Sequence, residues 1–251
     1  MARPTPRAGD PIPVCPDPVR RAVMKQKWID LAYLHYDYEP DVMQSLLPAG
    51  LEVDRFDGRA WVGLIPFSMR DIGVPGLPAV PYLGSFPEIN VRTYVRRNGV
   101  PGVWFFSLDV NRLLPALVAR AAYRLPYCWG RASHRVLDGE SHTTVERRWP
   151  FATRGASTRI GLEVGDAISQ PTAFDVWSSA RWGLYSRGWR RDSLWYAAVD
   201  HPTWSLREVR ASSIDDSLIT AAGLPAPGEP VRCTFSSGVP VRIGRPRRVD
   251  W

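Results

Sequence analysis

The strongest candidate for a chemical site is a strand-like segment in which polar and apolar residues alternate. Successive strand side chains point to opposite sides, so alternate residues share a face. One face carries a carboxylate, an amide, two guanidiniums and a phenol, from Glu88, Asn90, Arg92, Tyr94 and Arg96. The other face carries Ile89, Val91, Thr93 and Val95. The polar face therefore predicts a site that holds a small polar ligand.

Each polar group has a chemical role that suits such a ligand. Arg92 would hold a carboxylate or enolate oxygen through two parallel hydrogen bonds. Glu88, if buried, would have a raised pKa and would shuttle a proton, while Tyr94 would donate to a carbonyl oxygen. The alternative is a half-exposed antiparallel strand whose polar face is in water, and alternation alone favours that interpretation.

The neighbouring elements predict how this strand is held. Asn98 and Gly99 form a tight turn, and the apolar strand that follows ends near residue 110. A helix is predicted over residues 111–124, capped by Asn111, with one apolar face. That face is expected to pack against the core and consists of Leu114, Leu117, Val118 and Ala121.

Other segments predict many short strands and few helices. Strands are expected near residues 28–36, 51–69, 142–149, 157–164 and 194–199, and helices over residues 39–47 and 174–185. Residues 71–86 are rich in Pro and Gly and predict a loop. We expect a Pro-rich arm over residues 1–22 and one mainly β (α+β) domain over residues 23–251, built as a barrel or sandwich with a few helices.

Composition excludes several classes of protein. In 251 residues no apolar run reaches the roughly 18 residues of a membrane span, so no membrane partner is expected. The N-terminus lacks the apolar region of a secretion signal, and three widely spaced cysteines predict no disulfide framework, so a cytoplasmic location is expected. No phosphate-binding glycine loop, dinucleotide fingerprint or metal-ligand spacing occurs, so neither cofactor nor metal is expected.

The net charge of +7 raises the alternative of a nucleic-acid partner. Of the 32 basic residues only Lys25 and Lys27 are lysine, and the arginines are scattered, which is typical of coding bias. The densest cluster, at residues 186–196, interleaves Arg with Trp in a way that also suits base stacking. Without a recognised nucleic-acid motif, a nucleic-acid partner is not favoured.

Several segments resemble the YqjF-like proteins, which form domain of unknown function family 2071 within the acetoacetate-decarboxylase-like superfamily. The resemblance lies in residues 24–36, 46–69, 86–109 and 119–127, and in the His-Pro-Thr-Trp segment at residues 200–206. It implies a closed or nearly closed β-barrel with flanking helices and a buried polar cavity lined by the Glu88 strand. It therefore favours a polar face that lines a ligand site over a polar face that is exposed to water.

The resemblance also implies one departure from the decarboxylases. In those relatives a lysine nucleophile follows a proline just after the helix, beside a strand glutamate. Here the matching position, after Pro126, holds Tyr127. A phenol cannot form an imine with a ketone, so this departure argues against decarboxylation through a Schiff base.

The sequence thus predicts a small-molecule protein, with its chemistry left open. The first hypothesis is a cofactor-free acid–base enzyme, of a lyase or isomerase type, that dehydrates, enolises or cyclises a keto-acid or polyketide-like ligand. Its catalytic residues would be Glu88, Arg92 and Tyr127, and its binding residues Asn90, Tyr94, His35 and Trp104. The second hypothesis is a non-catalytic ligand-binding or sensing module with the same cavity. Assembly into a homo-oligomer stays open.

Overall fold

The protein is described by a computed structural model over residues 14–79, 84–188 and 193–249. The helices in this part are α1 (Pro40–Leu46), α2 (Leu113–Tyr123), α3 (Ala173–Ser179) and α4 (Leu218–Ala221). The strands are β1 (Ala22–Tyr38), β2 (Glu52–Val53), β3 (Ala60–Gly73), β4 (Phe86–Arg97), β5 (Val100–Val110), β6 (Tyr127–Leu137), β7 (Glu140–Trp149), β8 (Ser157–Ala167), β9 (Gly183–Arg187), β10 (Leu194–Asp200), β11 (Arg207–Asp216), β12 (Arg232–Gly244) and β13 (Arg247–Val249).

All thirteen of these strands join one sheet, in the order β13-β10-β9-β5-β6-β7-β8-β11-β12-β1-β3-β4-β2. Two further pairings, β4 with β5 and β10 with β12, bring the sheet nearly to a closed ring. Most neighbours are antiparallel, but β5 pairs in parallel with both β6 and β9. The mainly β, nearly closed architecture confirms the predicted fold class.

The second half of β1, most of β3 and nearly all of β4 are buried on both faces, and each face packs against a different core. One face packs an apolar cluster, here called the packed core, whose members include Ala32, Leu34, Val62, Leu64, Ile89, Val91, Ile160 and Leu162. The opposite face packs a second cluster, here called the cavity core, whose members include Leu31, Tyr33, Ile65, Phe67, Tyr94, Tyr127, Phe174, Trp177 and Trp204. These strands therefore separate two compartments.

A bulge at Asp30 decides which residues of β1 face the cavity core. Asp30 has a positive φ of 54°, and the register between β1 and β3 shifts by one residue between Ile29 and Leu34. A bulge inserts one unpaired residue, so the residues after it change face relative to those before it. Residues on both sides of the bulge face the cavity: Met24, Gln26 and Trp28 before it, Leu31 and Tyr33 after it.

Some local predictions are wrong. The helix predicted over residues 174–185 is the short α3 followed by strand β9. Asn111 does not cap α2; its side-chain amide donates to the Ala132 carbonyl instead. The apolar face predicted to be the core side of α2 is exposed, because the residues that approach the sheet are Ala116 and Ala119.

Other predictions lie beyond the described residues. Residues 1–13 of the arm, 80–83 of the loop and 189–192 of the Arg–Trp cluster are outside the described part of the chain. The division into an arm and one domain stays a prediction. Within the described ranges, none of the helices is long and apolar enough to cross a membrane.

Candidate functional site

A cavity of about 100 Å³ lies within the cavity core. Its polar lining comes from Gln26, Tyr33, Glu88, Asn90, Arg92, Tyr123, Tyr127, Ser179, Arg181 and His201. Its aromatic and aliphatic lining includes Trp28, Phe67, Phe105, Leu108 and Trp204. A single water needs roughly 10–15 Å³ of such space, so the cavity has the size of a small organic ligand.

Glu88 and Tyr127 meet at one side of the cavity. The parallel pairing of Leu108 with Tyr127 sets the start of β6 beside β5, and Glu88 on β4 pairs with Val110 of β5. The Tyr127 hydroxyl donates to Oε2 of Glu88 at 3.0 Å. Burial raises the pKa of Glu88 to about 8, with a smaller upward contribution from the charge of Asp109. At neutral pH this carboxyl group is therefore mostly protonated.

Arg92 is buried in the cavity wall without an acidic partner. Its Nη2 donates to the Tyr94 hydroxyl and to the Ser178 carbonyl, both at 3.3 Å, and its guanidinium carbon lies 5.4 Å from the Tyr33 ring centroid. In the described part of the chain no carboxylate lies within ion-pair distance, and Nε finds no hydrogen-bond partner. Burying a charge costs free energy unless it is paired, so an unpaired cation predicts an anionic ligand.

Tyr94 and His35 support Arg92 instead of lining the cavity. The Tyr94 hydroxyl lies 2.6 Å from Nε2 of His35 and accepts from Arg92. Burial and the charge of Arg92 lower the pKa of His35 to about 3, so the imidazole is neutral. Gly63 faces His35, where an added Cβ would lie 3.6 Å from Nε2. Tyr94 and His35, which were predicted to bind the ligand, therefore hold the Arg92 guanidinium in place and do not line the cavity themselves.

Arg181 is a second buried guanidinium in the cavity wall, and sequence reasoning missed it. Its Nη1 donates to Oδ2 of Asp54 at 2.5 Å, and its carbon lies 4.8 Å from the Tyr94 ring centroid. Its Nη2 has no partner within the described ranges. Asp54 also accepts from Nε of Arg96 at 2.6 Å, so the two arginines share this carboxylate. Arg181 thus has an acidic partner, which Arg92 lacks among the described residues.

Trp28, Trp204 and His201 also line the cavity and were also missed as site residues. The indoles of Trp28 and Trp204 stack with centroids 6.2 Å apart, and His201 packs 5.2 Å from Trp204. Both indole Nε1 atoms are buried without a hydrogen-bond partner among the described residues. The Trp28 segment and the His-Pro-Thr-Trp segment both belong to the resemblance, so that signal was present in the sequence.

Trp104, a predicted binding residue, lies outside the cavity. It pairs with Thr93 on β4, whose side chain points away from the Arg92 face, and it packs with Leu51 and Tyr185. Val103 and Phe105, which pair with Tyr94 and Arg92, line the cavity instead. A bulge between Phe105 and Ser107 then brings Leu108 to the same side. The remaining predicted residues, Glu88, Asn90, Arg92 and Tyr127, share its wall.

Both lysines of the chain lie away from the cavity. Lys27 forms an exposed salt bridge with Asp71 at 2.8 Å, and Lys25 is exposed on the same face of β1. Neither is among the cavity-lining residues. The position after Pro126, where the resemblance places a lysine, presents the Tyr127 phenol to Glu88.

Comparisons with known proteins agree with this architecture. The profile of the DUF2071 family, described as an uncharacterized conserved protein, matches residues 25–240. The uncharacterized protein YqjF of Bacillus subtilis (strain 168) is 30% identical over 205 residues, covering 82% of this chain and 84% of that protein. The enduracididine biosynthesis enzyme MppR, complexed with pyruvate, matches with a TM-score of 0.63 at 16% identity over 90% of both chains. An acetoacetate-decarboxylase-like enzyme from Sphingomonas wittichii RW1 gives 0.63 at 17% identity, covering 92% of this chain and 94% of that one. At such identity the structural matches show the fold alone.

Proposed function

The chain belongs to the DUF2071 family and has the acetoacetate-decarboxylase-like fold, and from this premise we propose that it is a cofactor-free acid–base enzyme acting on a short keto acid. One observation carries the proposal. Arg92, a buried guanidinium without a carboxylate partner, lines the same small cavity as Glu88, a carboxyl group that is mostly protonated at neutral pH. Enolisation requires a base for the proton on carbon and a cation for the negative charge, and a carboxyl group that titrates near neutral pH beside a guanidinium supplies both.

The proposed chemistry is reversible enolisation. Arg92 holds the carboxylate of the ligand through its free N–H groups. The ionised fraction of Glu88, roughly a tenth at pH 7 for a pKa of about 8, removes a proton from the carbon next to the carbonyl. The C–H electron pair forms the carbon–carbon double bond of the enolate, and the carbonyl π pair moves to oxygen. The Tyr127 hydroxyl, which donates to Glu88 before the reaction, turns to the oxyanion as Glu88 takes up the proton. Return of the proton to oxygen gives the enol, and its return to carbon regenerates the keto acid.

The size and charge of the cavity support a small monoanion. About 100 Å³ accommodates a ligand of a few heavy atoms beside the indoles, which favours a short keto acid over a polyketide-like ligand. Arg92, which has no carboxylate partner among the described residues, suits one carboxylate of the ligand. MppR, a protein of similar fold, is known in complex with pyruvate. The proposal involves no imine, because neither lysine lines the cavity. A cytoplasmic location remains part of the same proposal.

The test is deuterium exchange into short 2-oxo monocarboxylates such as pyruvate, followed by NMR in D₂O. The protein is expected to accelerate exchange at the carbon next to the carbonyl. Glu88→Gln should abolish the acceleration while pyruvate still binds in calorimetry, because Arg92 remains. The matched control is Glu140→Gln, which changes an exposed glutamate and should leave exchange unchanged.

The second candidate is a binding module that has the cavity without the chemistry. Tyr127 at the position of the lysine favours it, since the nucleophile of the related decarboxylases is missing. Binding of pyruvate-like acids without any exchange above the uncatalysed rate would select this alternative. Absence of both binding and exchange across a panel of short keto acids would refute the proposal.

A further inference from the structure

Helix α2 turns its apolar side chains outward. Ala116 is fully buried, and Ala119 and Tyr123 line the cavity, so the narrow inner face consists mainly of small residues. The outer face carries four exposed aliphatic side chains: Leu113, Leu114, Leu117 and Val118. Leu114 and Val118 keep 54% and 56% of their accessible surface. A contiguous exposed apolar face of this kind marks an interaction surface.

A groove extends this face beyond the helix. It has a volume of about 440 Å³ and lies between α2 and the segment after β7. Its lining residues are Leu113, Leu117, Trp129, Arg148, Trp149, Phe151 and Arg154. Phe151 is 75% exposed. The exposed residues of α2 together with this groove are called the α2 surface below.

Arginines border the α2 surface. Arg148 and Arg154 line its groove. Arg154 is exposed at the groove, and Arg120 lies over the Trp149 ring with its carbon 4.5 Å from the centroid. The surface therefore combines aliphatic and aromatic side chains with cations, and it offers few neutral polar groups.

We propose that the α2 surface docks on an anionic lipid bilayer, with α2 lying in the plane of the headgroups. Apolar side chains that insert below the headgroups and arginines that contact anionic lipids are the two components of interfacial binding. A second copy of the chain is disfavoured, because a two-fold contact would bring like charges together. A protein partner would require more neutral hydrogen-bonding groups than this surface supplies.

Interfacial docking differs from the membrane partner that the sequence excludes. The absence of a long apolar run rules out only a spanning helix, whereas an interfacial helix needs an apolar face flanked by cations. The proposal is also independent of the chemistry of the cavity. It concerns the outer face of α2, and its outcome does not depend on Glu88 or Arg92.

Vesicle co-sedimentation of the full chain tests the proposal. Vesicles of phosphatidylcholine containing phosphatidylglycerol should bind the protein, and vesicles of phosphatidylcholine alone should bind it far less. Leu114→Glu and Val118→Glu should each weaken binding by about tenfold, the affinity contributed by one buried aliphatic side chain. Arg154→Glu should weaken binding at low salt and have less effect at high salt.

Leu137→Glu is the matched control. Leu137 is 72% exposed, but it lies at the far end of β6 from Trp129, about 26 Å away at ~3.3 Å per residue. Its substitution should leave binding unchanged, and the thermal unfolding midpoint of each variant checks that the fold is intact. Failure to bind anionic vesicles at low salt overturns the proposal. So does a loss confined to the arginine variant, which would mean non-specific charge binding, or a dimer that Leu114→Glu dissociates in light scattering.

Discussion

Two buried arginines in this protein have opposite surroundings. Arg147 on β7 donates through Nε and Nη2 to the two oxygens of Asp109, at 2.7 and 2.6 Å, and both side chains are almost fully buried. Arg92 on β4 is equally enclosed, yet its neighbours are two phenols, a backbone carbonyl and a cavity. The first cation is neutralised within the fold, and the second is not.

The contrast separates a structural ion pair from a binding group. Arg147 also donates to the Thr153 hydroxyl at 3.0 Å, so it ties the segment after β7 to the end of β5. Arg147 is not among the residues that line the cavity. Arg92 lines it and has a buried Nε without a hydrogen-bond partner among the described residues. Burial without a counter-charge, more than burial alone, therefore makes Arg92 a candidate binding residue.

The largest expected effect comes from breaking the structural pair. Arg147→Met leaves the Asp109 carboxylate buried without a partner, which should lower the free energy of unfolding by about 3–5 kcal/mol. Urea denaturation measures this difference. A loss below about 1 kcal/mol would mean that water reaches Asp109 and that the pair is not structural.

The same substitution at Arg92 should affect binding instead of stability. Arg92→Met leaves no carboxylate unpaired, so the free energy of unfolding should stay within about 1 kcal/mol of the parent value. Affinity for pyruvate-like acids should fall by roughly 10- to 100-fold, the value of a charge-assisted hydrogen bond. Calorimetric titration measures the affinity. Equal losses of stability in Arg92→Met and Arg147→Met would remove the distinction between the two arginines.

Titration of Glu88 should make the free energy of unfolding vary with pH. Its pKa is raised to about 8 from 4.5, so between these values the folded protein binds more protons than the unfolded chain. Stability is then fully present below pH 4.5 and is lost as pH rises toward 8, by on the order of a few kcal/mol. Glu88→Gln does not titrate, so its stability relative to the parent should increase over that interval. Parallel profiles in urea denaturation at pH 5 and pH 8 would show that Glu88 is not shifted.

The smallest effect is expected at Trp104. Its side chain lies on the opposite face of β5 from the cavity, so Trp104→Phe should change ligand affinity by less than about twofold. Trp28→Phe is the matched control, because it makes the same change in a residue that lines the cavity and removes an unpaired indole N–H. It should weaken binding measurably. A loss of affinity confined to Trp104→Phe would reverse the assignment of faces on β5.

Strict alternation made the polar stripe of β4 predictable. Glu88, Asn90 and Arg92 do share a face, since a regular strand fixes the sides of its residues. Trp104 was placed wrongly, although the register that follows from the Asn98-Gly99 turn already pairs it with Thr93, on the face opposite Arg92. The bulge lies beyond Trp104 and changes only the face of the later β5 residues, and single bulges leave no reliable sequence signal. The nearly closed, mainly β fold was predictable from the spacing of strands together with the family resemblance.

Contacts between distant segments could not be predicted from the sequence. Asp109 resembles a helix cap from its position before α2, and only the pairing of β5, β6 and β7 brings Arg147 to it. The helical period of α2 correctly groups Leu114, Leu117 and Val118, but period cannot say which face meets the protein. Here close approach to the sheet selects Ala116 and Ala119.

The extra residue at Asp30 has a consequence for how the protein tolerates variation. In a complete substitution scan along β1, tolerance to substitution should alternate between successive residues, and the alternation should reverse at Asp30. Upstream, the intolerant sites would be Gln26 and Trp28, while Lys25 and Lys27 at the alternate positions would be freely replaceable. Downstream, residues on both faces would tolerate few substitutions, for different reasons. Tyr33 lines the cavity, and Leu34 belongs to the packed core. Deleting Asp30 would turn the cavity-facing residues after it toward the packed core, and the residues of the packed core toward the cavity, along half of the strand.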